Sequence, residues 1–185
     1  MAELDVGDEV LTIVQEKVQV LNTMVHHRTL VQMALLKVIQ NLERRSLVHD
    51  VSKFEEEEFA GFARINRVAR EHPYGSDEYR ASLEAEQRII DRHYLGNRHH
   101  PEYWDAPEHN VGTTMMGLLD LIEMVCDWWS AWSVYDGQRE PGKRSSWRDN
   151  VEKQRERFLD SGILSKEQWF VVDQMAFILG SGADG

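Results

Sequence analysis

Residues 45–54 read RSLVHDVSKF, and the pair His49–Asp50 within them decides how the chain is read. An imidazole and a carboxylate stand side by side in an apolar setting, followed by Ser52 and Lys53. A buried carboxylate without a partner is costly, so Asp50 needs a cation or strong donors. The alternative, that Asp50 helps cap the next helix, is weakened because Ser52 already reads as the cap. SKFE, residues 52–55, has the form of a capping box, with Ser52 and Glu55 exchanging bonds across the first turn. A metal ion would use both residues of the pair.

Working outward, helical periodicity recurs almost everywhere. Val14, Val18, Leu21 and Val25 form one apolar stripe. Met24, His27, Val31, Leu35, Val38 and Leu42 form a second, at spacings of 3, 4, 4, 3 and 4. The change of register near NTMVHH (22–27) predicts a kink or break there. Further helices are expected from Ser52, over about 77–96, along TTMMGLLDLIEMVCDWWSAW (113–132), over 147–159 and over 165–179. Pro101 and Pro107 are expected to keep NRHHPEYWDAPEHNVG irregular, and DGQREPGKRSS is expected to be a mobile loop. The expectation is all-α: one helical domain of six or seven helices over 9–179, between a flexible N-terminus (1–8) and a glycine-rich tail (180–185).

Composition narrows the function. Of the 185 residues 42% are apolar, enough for a buried core, and the formal charge of −11 disfavours general binding to nucleic acid or an anionic membrane. Cys126 is the only cysteine, so neither a disulfide framework nor a thiolate zinc site is expected, and a cytoplasmic location suits it. The acidic start MAELDVGDEV does not read as a signal peptide, and no apolar run approaches the roughly 20 residues of a membrane span.

Other chemistry-bearing residues fall into patterns. His27 lies within the second apolar stripe. Asp120, Glu123 and Asp127 are spaced i, i+3, i+7 on one face of the most apolar helix. Either they serve a site or they pair with arginines such as Arg98. His93, Asn97 and His100 share one face of the helix expected to end at Pro101, with His99 beside them and Glu102 placed to orient an imidazole. Most of the tryptophans among Trp104, Trp128, Trp129 and Trp132 read as core, with Tyr103 and Trp104 the candidates for a pocket wall.

The order His, His-Asp, His, His-His, Asp, together with HDVSK, resembles the HD superfamily of metal-dependent phosphohydrolases, Ser52 standing at a glycine position of its His-Asp-x-Gly-Lys segment. RRSLVHDVSKF, HYLGNRHHPEYW, LLDLIEMVCDWW and RFLDSGILSKEQW further resemble a family of small phage and bacterial proteins. The superfamily resemblance implies an all-helical fold in which His27, His49, Asp50 and Asp127 hold one metal. HHPE is similar to the paired histidines of the binuclear branches, which implies His93 and His100 as ligands of a second ion, His99 behind them and Asp50 bridging. Because His93 and His100 are closer in sequence than those branches place theirs, a mononuclear site stays open.

A donor set of nitrogen and oxygen suits one or two divalent transition ions: Mn, Fe, Co, Ni or Zn. The expected reaction is hydrolysis of a small anionic substrate, a nucleotide or another phosphate ester, by metal-activated water. Lys53 and Arg98 are the candidate phosphate contacts, and Glu123 a base or a support for a ligand. Two alternatives are a di-iron oxygenase and a non-catalytic metal-binding or regulatory protein. A homodimer through the apolar N-terminal stripe or the Trp-rich region would suit the sequence.

Overall fold

In the computed structural model the described residues are 6–72, 76–107, 115–135 and 145–181. They contain no strand, and their eight α-helices make the fold class all-α, as expected. None of these helices is long and apolar enough to cross a membrane. The chain divides into two compact units, residues 1–47 and residues 48–185.

The first unit is α1 (Val6–Val48), a single unbroken helix of 43 residues. The expected break near residues 22–27 is absent. Both apolar stripes instead run along one continuous helix and overlap there, covering much of its circumference. Val14, Leu21, Val25, Leu35 and Ile39 are all exposed. Residues 6–8, expected to belong to a flexible terminus, are its first turn.

In the second unit the chain leaves α1 through His49 and Asp50 into a 3-10 turn, Val51–Phe54. Asp50 has φ 55° and ψ 21°, the left-handed conformation, which a short polar side chain tolerates better than most. Its carbonyl accepts the Lys53 N–H at 2.9 Å and so closes the turn. The capping box does not form. α2 begins later, at Glu56, and the Ser52 hydroxyl turns inward to donate to Glu58 Oε2 at 2.8 Å.

α2 (Glu56–Glu71) buries Glu58, Gly61, Ile65 and Ala69, a stripe at spacings of 3, 4 and 4. α3 (Asp77–Ala85) and α4 (Gln87–Gly96) were expected as one helix, and a break at Glu86 separates them. Glu86 pairs with Arg64 of α2 through two contacts. α4 packs Ile89 and Ile90 against α2, where Gly61 provides the close approach: a Cβ there would stand 2.9 Å from Ile89.

Pro101 starts a helix rather than ending one. It is the first residue of α5 (Pro101–Asp105), where proline's missing N–H is harmless. These two differences raise the helix count from the expected six or seven to eight.

The main core lies among α6 (Leu118–Tyr135), α7 (Trp147–Phe158) and α8 (Lys166–Gly180). Met124, Val125 and Val172 are fully buried there, and Trp128 stacks on Phe158 with ring centroids 5.4 Å apart. α7 and α8 each begin with a complete capping box, Ser146–Asp149 and Ser165–Gln168. The loop expected over DGQREPGKRSS falls mostly on residues 136–144, and the tail ends in 182–185. Both stretches lie outside the described residues, as do residues 1–5.

Candidate metal centre

His93 continues the buried face of α4 set by Ile89 and Ile90, and is 1% exposed. Beyond Gly96 the chain turns through an extended Asn97, and the His100 N–H bonds back to the Asn97 carbonyl at 3.1 Å. That turn, not a continuing helix, brings His99 and His100 back beside His93. The ring centroids of His93 and His100 lie 4.9 Å apart, and those of His99 and His100 4.2 Å apart.

Asp50, His93, His99 and His100 each offer one ligand atom within 4.8 Å of the others. His93 Nε2 and His99 Nε2 stand 3.2 and 3.3 Å from Asp50 Oδ1. These distances are short, yet their directions form no hydrogen bond. Asp50 Oδ1 and the Nε2 atoms of His93, His99 and His100 are all buried without a hydrogen-bond partner. Each buried polar group left in that state costs about 1–3 kcal/mol. A divalent cation at their centre would answer all four, and three imidazoles with a carboxylate make a donor set that fits one.

The opposite edges of two rings are held by carboxylates. His93 Nδ1 lies 3.1 Å from Glu58 Oε2, and His99 Nδ1 lies 3.4 Å from Glu123 Oε1. An Nδ1–H donated to a carboxylate leaves the Nε2 lone pair facing inward, as metal-ligating histidines require. Asn97 braces the same corner, donating to the His93 carbonyl at 2.8 Å and to Ser52 Oγ at 3.2 Å.

Two further groups adjoin this one: His49 with His99 and Glu123, and His49 with Asp50 and Asp127. His49 Nδ1 is bonded to Glu123 Oε1 at 3.0 Å, while its Nε2 lies 3.4 Å from both Asp50 Oδ2 and Asp127 Oδ1. Asp50 therefore presents Oδ1 to His93 and His99 and Oδ2 to His49 and Lys53. Glu123 sits behind two imidazoles rather than at the front.

These placements set the protonation states. Hydrogen bonds to Asp127 and Glu123 raise His49 to about 10 against the opposing effect of burial. Burial, with His99 and His93 close by, holds His100 down at about 2, so its ring is neutral. For Asp50 burial acts upward, but the nearby His93 and His99 and the Lys53 ammonium keep it well below the usual carboxylate range.

The remaining sequence candidates fall elsewhere. Lys53 lies in the 3-10 turn, its ammonium on Asp50 Oδ2 and 4.8 Å from the Phe62 ring centroid. Asp120 is buried and Arg98 Nη2 lies 3.5 Å from its Oδ2. Arg98 also lies over Trp104, 4.6 Å from its centroid, so Tyr103 and Trp104 carry Arg98 and do not line the cavity beside the centre. Walls of that cavity include Tyr94, Trp128 and Trp132. His27 is exposed on α1, in the first unit, and belongs to none of the three groups.

Glu58 was the residue missed. It hid in EEEE (55–58), read as acids favoured at a helix start. The signal lay in its spacing, since Glu58, Gly61, Ile65 and Ala69 form one buried stripe of α2.

Residues 16–176 match the family of unknown function DUF5662, and the chain belongs to that family. No curated protein and no solved structure matches it.

Proposed function

We propose that this member of a family of unknown function is a metal-dependent hydrolase of small phosphate esters. Asp50, His93, His99 and His100 would hold the first ion, and His49, Asp50 and Asp127 a second. The observation that carries the reading is the convergence of four buried, unpartnered ligand atoms in one place. A divalent ion bound there supplies Lewis acidity to a water and to a phosphoryl oxygen.

The chain's own groups serve the rest of the reaction. Water oxygen bonds to phosphorus as the ester P–O bond breaks; one proton leaves the water and one reaches the departing oxygen. In a one-ion site Asp127, beside His49 and lining the cavity, is placed to take the first. His49, bonded to Glu123 and beside Asp127, is then placed to give the second; in a two-ion site both residues are ligands instead. Lys53, whose side chain is 33% exposed, offers its positive charge to a phosphoryl oxygen. His27, which the HD resemblance adds to the metal ligands, is left out of the proposed set.

Elemental analysis with a hydrolysis panel tests the proposal. One or two transition-metal ions per chain and metal-dependent release of phosphate are expected. No metal after reconstitution with Mn, Fe, Co, Ni or Zn would sink it. Uptake of dioxygen by an iron-loaded protein without phosphate release would favour a di-iron oxygenase, which the same nitrogen and oxygen donors permit.

We also propose that α1 pairs with α1 of a second copy, antiparallel. Leu11, Val14, Val18, Leu21 and Val25 alternate at 3 and 4 along one exposed seam that resumes at Leu35 and Ile39. Residues 6–27 carry Asp8, Glu9 and Glu16 against Lys17, whereas residues 28–48 carry Arg28, Lys37, Arg44 and Arg45 against Glu43. Antiparallel pairing sets the acidic half of each helix on the basic half of the other. Parallel pairing would set like on like.

A further inference from the structure

His100 and Asp127 of the metal centre also line a cavity of about 100 Å³. α7 contributes Asn150 and Gln154 to its lining, one helical turn apart and so on the same face. Asn150 is 7% exposed. Asn150 Oδ1 and Gln154 Oε1 are buried, and neither has a hydrogen-bond partner. Side-chain carbonyls in that state destabilise a fold unless something donates to them. α7 itself is firmly held by its capping box and by the buried Trp147 and Phe158, so the two amides are fixed in place.

The surroundings restrict what that something is. Tyr94 and Trp128 give aromatic walls, whose faces attract C–H groups. Arg157 at the rim is already paired with Glu102, Nη2 to Oε1 at 2.6 Å, so its charge is answered within the protein. A second phosphate is therefore poorly served, while neutral donors are well served. The cavity is smaller than the about 150 Å³ that encloses a benzene ring, so it takes a fragment of a molecule, such as the diol edge of a sugar, and not a whole ring. Two neighbouring hydroxyls on a short carbon chain, or on the edge of a sugar whose ring stays outside the cavity, meet these conditions.

We propose that the cavity holds the hydroxylated part of the substrate, with two neighbouring hydroxyls donating to Asn150 Oδ1 and Gln154 Oε1. The substrate is then a sugar or polyol phosphate, free or as the sugar of a nucleotide. This deepens the phosphohydrolase reading and rests on it, since the phosphoryl group of the same molecule would lie at the metal centre.

The test uses the full chain loaded with Mn²⁺, with binding followed by calorimetry and by tryptophan emission, because Trp128 and Trp132 line the cavity. Probes are ribose 5-phosphate, 2-deoxyribose 5-phosphate, adenosine 5′-monophosphate, inorganic phosphate and ribose. The parent should bind ribose 5-phosphate at least tenfold tighter than inorganic phosphate. Asn150→Leu and Gln154→Leu should erase that advantage while leaving inorganic phosphate unchanged. Both variants should melt at or above the parent temperature, since each removes a buried unpaired oxygen; a role in packing alone would lower it.

Equal affinity of the parent for ribose 5-phosphate and inorganic phosphate would overturn the proposal, as would variants that bind like the parent. Tighter binding of the adenosine monophosphate would identify the sugar of a nucleotide as the source, and tighter ribose 5-phosphate a free sugar phosphate. If ribose alone shifts the emission of the parent but not of Asn150→Leu, and no phosphate is released from any ester, the subsite stands and the hydrolase reading falls.

Discussion

Glu58 Oε2 lies 3.1 Å from His93 Nδ1, and the two side chains are 2% and 1% exposed. A carboxylate this deep is tolerable because Ser52 donates to it and an imidazole N–H faces it. The contact selects the tautomer of His93 and aims Nε2 at Asp50. Replacing Glu58 with Gln should weaken metal binding about 10–100-fold without abolishing it. Titration against a competing chelator measures this, with Glu56→Gln, on the same helix but exposed, as the unaffected control.

Stoichiometry separates one ion from two. Asp50→Asn, which touches both ligand groups, should remove all bound metal, and so should His93→Ala if the first site must fill before the second. His49→Ala should lower a two-ion protein to one ion per chain and leave a one-ion protein fully loaded. Elemental analysis of the purified variants reads the difference directly.

The metal-free protein should be most stable near neutral pH. His100, held down at about 2, is neutral in the fold but takes up a proton on unfolding below about 6.5, so stability falls as pH drops through that window. His49, raised to about 10, is charged in the fold and neutral in the unfolded chain above about 6.5. Its contribution is complete below 6.5 and fades as pH climbs toward 10. Calorimetric melting in EDTA from pH 4 to 10 should trace a maximum between the two slopes. A monotonic curve would contradict these assignments.

Gly61 sets the spacing between α2 and α4, and thus between Glu58 and His93. Gly61→Ala would bring a methyl group to 2.9 Å from the side chain of Ile89, which is itself 4% exposed and cannot swing away. Overpacking of this kind costs about 1–3 kcal/mol. Denaturant unfolding should register that loss, and metal affinity should fall with it, since the two helices carry the two members of the Glu58–His93 pair.

Self-association through α1 is open to a direct mass measurement. Sedimentation of the parent should give a dimer at micromolar concentration. Leu21→Asp together with Leu35→Asp places charges in the seam and should yield monomer with its helical content lowered in α1. Reversing Arg44 and Arg45 to Glu should weaken the dimer, and adding Lys at positions 9 and 16 should restore it. A monomeric parent would end the proposal.

Much of the centre was readable in the sequence because adjacency and spacing carried it. His49–Asp50 and His99–His100 are doublets in chain order, and Glu123 and Asp127 share a helical face that the structure retains. His99 was less legible. It was placed behind His93 and His100 on the assumption that one helix ran to Pro101, whereas a turn after Gly96 gives it equal standing. Ser52 misled for a related reason. A hydroxyl three residues before a glutamate reads as a cap, yet burial of Glu58 attracted it instead. The kink expected in α1 rested on a register change that a long helix accommodates by presenting a second apolar face. Asn150 and Gln154 gave no signal at all: an amide on a charged helix is ordinary until its oxygen is found buried and unpartnered in a residue that lines a cavity.

His100 and Asp127 belong to the candidate metal centre and also line the cavity. Two weak ligands joined by a short tether would therefore engage adjoining subsites, and the tether makes the second engagement intramolecular. A hydroxamate carrying a two- or three-carbon diol is the simplest such bipartite inhibitor. Its potency over the untethered hydroxamate would measure how closely the two halves of the receptor are set.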